Sequence, residues 1–135
     1  MDNLWVDHIF GKWGRVKNAK PEDTICIELC NTLRAYILNK SFNGVFFHVE
    51  NETGGKRSVV YNLLKKLTGK IAGAPDYIFI NTKHTLLIEM KAPGKKQSKN
   101  QKMFQAWCDA MGIKYYVCFS SKEVEKLLQE HGFIV

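Results

Sequence analysis

A chain of 135 residues that is 45% apolar and 12% aromatic has the material for one globular core and is too ordinary in composition for a fibrous or disordered protein. No apolar run approaches the roughly 20 residues that span a bilayer, and the start, MDNLWVDHIFGKWGR, has no apolar stretch followed by a small-residue cleavage site, so the expectation is one cytoplasmic domain over residues 1–135. A net charge of +7 is compatible with a polyanionic partner.

Residues 1–20, with Trp5, Trp13 and two glycines, read as an irregular N-terminal extension. The two tryptophans could stack on bases, but packing is the simpler reading. Pro21, Glu22 and Asp23 suit a helix start, where a proline ring and negative charge are tolerated. The helix runs to about Asn39 with an apolar stripe of Ile25, Leu29, Leu33, Tyr36 and Ile37. FNGVFFHVE, residues 42–50, alternates as a strand: Val45, Phe47 and Val49 share one face, and Phe46, His48 and Glu50 the other. His48 reads as a packed or hydrogen-bonded histidine rather than a catalytic one. NETGGKR, residues 51–57, forms a flexible loop; Gly54 and Gly55 either serve the turn or let a phosphate approach. Ser58 caps a short helix over about 58–68.

Strands of about 76–80 and 85–91 flank the turn NTKH. Ser98 caps a helix to about Met111, which Gly112 ends; Trp107, with Met103, Phe104 and Met111, is expected in the core. IKYYVCF, residues 113–119, is an apolar strand, and Ser121 caps a last helix over about 122–131. The order α-β-α-β-β-α-β-α predicts an α/β protein with a mixed sheet flanked by helices. Cys26, Cys30, Cys108 and Cys118 form no CxxC pair and sit among apolar residues, which is the pattern of reduced, packed thiols.

Charge is distributed unevenly. Lys91, Lys95, Lys96, Lys99 and Lys102 follow one another with no acid between them; Lys56, Arg57, Lys65, Lys66 and Lys70 form a second cluster, and Lys12, Arg15, Lys17 and Lys20 a third. Such runs are either solvated faces or the footprint of a nucleic acid.

The segment GAPDYIFINTKHTLLIEMKAP, residues 73–93, carries the chemistry. With the turn centred between Thr82 and Lys83, Asp76 stands opposite Glu89, Tyr77 opposite Ile88 and Ile78 opposite Leu87. Opposed Cβ atoms of an antiparallel pair lie about 4.5–5.5 Å apart, and strand alternation puts Lys91 on the face of Glu89. Two opposed carboxylates repel unless something stands between them. A hard divalent ion satisfies both, completes its coordination with water and phosphate, and a neighbouring lysine stabilises phosphate charge. The arrangement therefore points to phosphodiester hydrolysis; the plainer reading is an ion pair at a strand end.

With its Pro-Asp in "APD" and its acid-x-Lys in "IEMK", the sequence resembles the PD-(D/E)XK nucleases. More closely it resembles the VRR-NUC family, the nuclease module of small phage proteins and of Fanconi-associated nucleases. "HVENETGGKR", "GKIAGAPD", "LLIEMKAPGKKQSKNQ" and "NQKMFQAW…MGIKYYVCFSSKEV" carry the likeness over most of residues 45–130, leaving 1–20 outside. The resemblance implies a restriction-endonuclease-like core, with Asp76, Glu89 and the Met90 carbonyl as ligands of Mg²⁺ or Mn²⁺ and Lys91 as catalytic lysine. Gln101 matches the family's helix glutamine near the active site. A first-helix glutamate often completes such sites; Glu28 is the best match, with Glu50 and Glu52 as competitors. Lys56, Arg57, Lys95, Lys96 and Lys99 would contact DNA. The implied function is a metal-dependent DNA endonuclease, homodimeric and acting on branched DNA such as four-way junctions or flaps, in the host cytoplasm if phage-encoded. The alternative is a non-catalytic nucleic-acid-binding module of the same fold.

Overall fold

Short apolar runs produce four strands among the described residues, and the 3.6-residue stripes between and beside them produce the helices. A computed structural model describes residue 8 and residues 14–50 and 58–135. Its elements are α1 (Pro21–Leu38), β1 (Val45–His48), α2 (Val59–Leu67), β2 (Tyr77–Ile80), β3 (Thr85–Met90), α3 (Lys99–Ala110), β4 (Lys114–Cys118) and α4 (Ser121–Glu130). The strands lie in the order β1-β2-β3-β4. The first three are antiparallel, and β4 runs parallel to β3 after the α3 crossover. The result is the expected mixed sheet flanked by helices. Trp5, Lys12, Trp13, Glu52, Gly54, Gly55, Lys56 and Arg57 lie outside the described residues.

The β2–β3 register pairs Tyr77 with Ile88, Ile78 with Leu87, Phe79 with Leu86 and Ile80 with Thr85, as the turn position predicts. Asn81 closes this turn from its side chain: Oδ1 accepts from the Lys83 and His84 amides at 2.9 and 2.7 Å, and Nδ2 donates to the His131 carbonyl at 3.1 Å. Ser58 and Ser98 cap their helices as expected. The last helix is capped by Ser120, not Ser121. An N-cap needs extended backbone; Ser120 has φ −153° and ψ 159°, while Ser121 is already the first helical residue.

One face of the sheet carries the main core. Leu29 and Leu33 of α1 and Val124 and Leu128 of α4 pack with Tyr77, Phe79, Leu86, Ile88, Met90, Cys118 and Phe133. Phe46 joins by stacking on Phe79 at 5.5 Å between ring centroids, and His48 packs on Tyr77 at 5.0 Å. The opposite face holds a smaller cluster of Leu87, Cys108 and Tyr115, with Ile78, Phe104 and Val117 against it. The four cysteines are free thiols.

Trp107 departs from its expected place in the core. It is 54% exposed, and Met103 and Met111 are more so. Gln101, Phe104 and Cys108, spaced three and four apart, form the line of α3 that meets the sheet. Trp107 lies beside that line and sets its ring edge-on to Phe104. Gly73 permits a close approach of the loop before β2 to α3. At φ +86°, a Cβ there would stand 2.4 Å from the Asn100 backbone, so a larger residue would push the loop off the helix start.

Candidate metal centre

The hairpin opens toward the end where β2 begins and β3 finishes, which places Asp76 across from Glu89. The Asp76 amide donates to the Ile88 carbonyl at 3.1 Å, and its Oδ2 accepts from the Met90 amide at 2.7 Å. Asp76 thus spans the strand end with both backbone and side chain. Glu89 is 1% exposed and is the one buried charged residue among those described.

The third acid comes from the first helix, and it is Glu22 rather than Glu28. One carboxylate oxygen from each of Glu22, Asp76 and Glu89 lies within 4.8 Å of the others. Helical periodicity gives the reason. Glu22 precedes the fully buried Leu29 and Leu33 by seven and eleven residues, close to two and three whole turns, so it continues the stripe that faces the sheet. Glu28 is displaced by about 100° from Leu29 and lines a separate depression with Thr24, Asn31 and Ser121. Glu50 borders the site without joining the three carboxylates, and Glu52 lies outside the described residues. Glu22 could have been found in the sequence by extending the Leu29–Leu33 stripe backward to the helix start.

Two donors fix the Glu89 carboxylate. Gln101 Nε2 donates to Oε1 at 2.8 Å, and the Tyr115 hydroxyl donates to Oε2 at 3.4 Å. Gln101 is itself held. Its Oε1 accepts from the Ser98 amide at 2.8 Å while its own amide donates to Ser98 Oγ at 3.2 Å, a capping box in which the helix start also holds the donor to Glu89. Tyr115 was not legible beforehand. It lies on the sheet face of Glu89 only because β4 joins β3 in parallel, with Val117 opposite Glu89. Lys91 follows the end of β3; its amide donates to the Cys118 carbonyl at 2.9 Å, and its charge acts on Glu89. Lys95, Lys96 and Lys99 are exposed between β3 and the first turn of α3.

The electrostatics follow from the crowding. Burial first, then the charge and hydrogen bonding of Asp76, push the Glu89 carboxyl up to about 9; Glu22 adds to the rise and Lys91 opposes it. Burial also raises Tyr77, with the nearby thiols of Cys30 and Cys26 adding to it, and lifts Cys26 to about 12. The phenol and thiol beside the acids are neutral at ordinary pH. Burial and the charge of Glu89 raise Tyr115, which keeps its hydroxyl a donor.

Glu22 and Asp76 open on a cleft of about 660 Å³ that Arg15, Lys20, Arg34 and His48 also line. Ionising all three acids at this separation, one of them buried, is costly in a medium of reduced dielectric, so without a cation Glu89 holds its proton at ordinary pH. Each bound donor takes one direction on its oxygen and leaves others open. An all-oxygen set of this kind fits a hard divalent cation such as Mg²⁺ or Mn²⁺.

The VRR-NUC domain family model matches residues 42–122, a span that contains Asp76, Glu89, Lys91, Gln101 and Tyr115 and leaves Glu22 outside. A solved structure described as a VRR_NUC domain is similar at a TM-score of 0.53 and 20% identity, over 84% of this chain and 98% of that one; at that identity the likeness speaks for the fold. No curated protein matched the sequence.

Proposed function

The chain belongs to the VRR-NUC family, a nuclease-type domain, and from that premise we propose that it is a Mg²⁺- or Mn²⁺-dependent DNA endonuclease. The observation that carries this reading is the convergence of Glu22, Asp76 and the buried Glu89 beside Lys91. A protein that only binds DNA gains nothing from three crowded acids where phosphate must approach.

In this reading Glu22, Asp76, Glu89 and the Met90 carbonyl hold the ion. When bound, it supplies a Lewis acid against a phosphodiester. Gln101 and Tyr115 orient Glu89 so that its free lone pairs face the other acids, which avoids reorganisation during reaction. The Lys91 ammonium has no lone pair to ligate a metal; it stabilises the negative charge that grows on the phosphate oxygens. Lys95, Lys96 and Lys99, with Lys56 and Arg57, hold the DNA backbone.

We infer further that the chain acts in the cytoplasm as a single domain, paired as a homodimer on branched DNA. No helix among the described residues is long and apolar enough to cross a membrane. The dimer has support in α2. Its stripe of Val59, Val60, Leu63, Leu64 and Leu67 is 53–84% exposed, and none of its residues is buried. A second copy brought against this stripe would remove it from water. Symmetry then provides two sites for two strands.

The test is a panel of linear, flapped and four-way DNA incubated with Mg²⁺ or Mn²⁺. Products that need the metal and vanish with Glu22→Gln but persist with Glu28→Gln are the expected result. Metal-independent binding with no product on any substrate would leave the non-catalytic module as the function.

A further inference from the structure

A second cavity, of about 450 Å³, adjoins the metal cleft. Val49 and Glu50 line both spaces, and Pro75 and Asp76 face one each. The second cavity has two kinds of wall. Ile71, Ile78, Leu87 and Phe104 make an apolar floor, whereas Lys65 and Lys70 bring cationic chains from the end of α2 and the turn after it. Nothing in the site described above uses either wall.

Lys70 is the odd member. Its Nζ is buried and has no hydrogen-bond partner among the described residues; Glu50, the acid on the shared wall, does not reach it. A buried ammonium without a partner is costly, and an anion at this cavity would relieve the cost. An apolar floor beside a cation requires a ligand with a flat hydrophobic part and a negative charge within a few ångströms of it. The anionic neighbour already expected is DNA, and the unit of DNA that combines these parts is one nucleotide.

We propose that this cavity seats a single unpaired nucleotide of the cleaved strand next to the bond that is cut. Its base rests on Phe104 and the aliphatic floor, and its phosphate meets Lys70. A base still in a duplex cannot reach such a floor without leaving its stack, whereas splayed bases are commonly held on aromatic rings. The volume falls within the range of about 300–1,000 Å³ typical of sites that enclose a small molecule. Occupancy is coupled to the metal site by contact: the Phe104 ring lies 6.1 Å from that of Tyr115, and the Tyr115 hydroxyl bonds Glu89. The site would thus read the absence of pairing beside the cut, not base identity.

The inference rests on the nuclease reading, and its test separates the two. Fluorescence anisotropy of the full chain in EDTA, with flapped DNA in which one abasic site is moved across the junction, reads the cavity without any cleavage. Affinity should fall about tenfold at one position only, on the scale of one lost base–aromatic stack. Phe104→Leu should remove that difference between base and abasic DNA, while Lys70→Gln should weaken both. Equal binding to every abasic substrate, or an unchanged preference in Phe104→Leu, overturns the nucleotide seat. Loss in Lys70→Gln with no base effect reduces the cavity to a phosphate contact and overturns it as well. Position-specific base binding without cleavage under Mg²⁺ or Mn²⁺ would retain the seat and refute the nuclease.

Discussion

The two ends of the β2–β3 hairpin solve opposite problems with the same strands. At the turn, Asn81 satisfies two backbone amides and one carbonyl from a single side chain, and every polar group named there has found a partner within the protein. At the open end, Glu22, Asp76 and Glu89 are brought within 4.8 Å of one another, although each would be more comfortable apart. A fold that can close one end of a hairpin so economically has no structural need to crowd acids at the other. Local conflict held in place by a well-packed frame is what a bound cation would relieve.

The sharpest break of that comparison is chemical. Lys91→Ala should lower single-turnover cleavage by about 10²–10³, the scale of one lost preorganised donor. Calorimetric Mn²⁺ affinity should hold or rise, because a positive charge beside the ion is gone. Cleavage near the wild-type rate would remove Lys91 from the chemistry. Next in size, Asn81→Ala should cost about 1–3 kcal/mol of stability in urea unfolding, since it strands backbone groups at the turn; metal binding should be untouched. Glu89→Gln should do the reverse, abolishing metal binding while leaving the metal-free protein as stable as wild type or more so. If both variants lose stability alike, the two ends are not different in kind.

The pH dependence sharpens the contrast. The Glu89 carboxyl is pushed from 4.5 up to about 9 in the folded protein, chiefly by burial and then by Asp76. The folded state therefore keeps a proton that the unfolded chain gives up. That contribution is full below about pH 4.5 and is lost as pH rises toward 9. In EDTA, thermal unfolding should shift downward from pH 5 to 9 more for wild type than for Glu89→Gln. Added Mn²⁺ should oppose the shift, because it binds the ionised form. Identical pH profiles for the two proteins in EDTA would contradict the buried-acid account. The smallest effect concerns the exposed lysines. Neutralising Lys95, Lys96 and Lys99 together should reduce the slope of log K against log salt by about 2–3, with little change in stability.

How far the chain could be read varied with the kind of contact involved. The strands, the hairpin register and the pairing of Asp76 with Glu89 rest on short apolar runs and a four-residue turn, which are local. The caps at Ser58 and Ser98 are local too. The error at the last cap is a one-residue slip at an element boundary, where serines stand side by side and only the backbone decides which is extended. Trp107 was misplaced because an apolar side chain near a core helix line carries no sign of which residues the sheet covers. Its exposure follows from α3 turning Phe104 and Cys108 toward the sheet, which leaves Trp107 beside the buried line.

The amino-acid sequence by itself determined the order of elements, the hairpin, and the three residues Asp76, Glu89 and Lys91 at its open end, because each depends on neighbours within about twenty positions. The rest of the candidate site depends on how the helices and strands pack. Glu22 enters it from more than fifty residues away because α1 buries Leu29 and Leu33 against the sheet, and Tyr115 enters because β4 adds in parallel at the edge. Long-range packing selects among chemically equivalent acids by which helix face is buried, and no spacing in the chain encodes the angle at which a helix crosses a sheet.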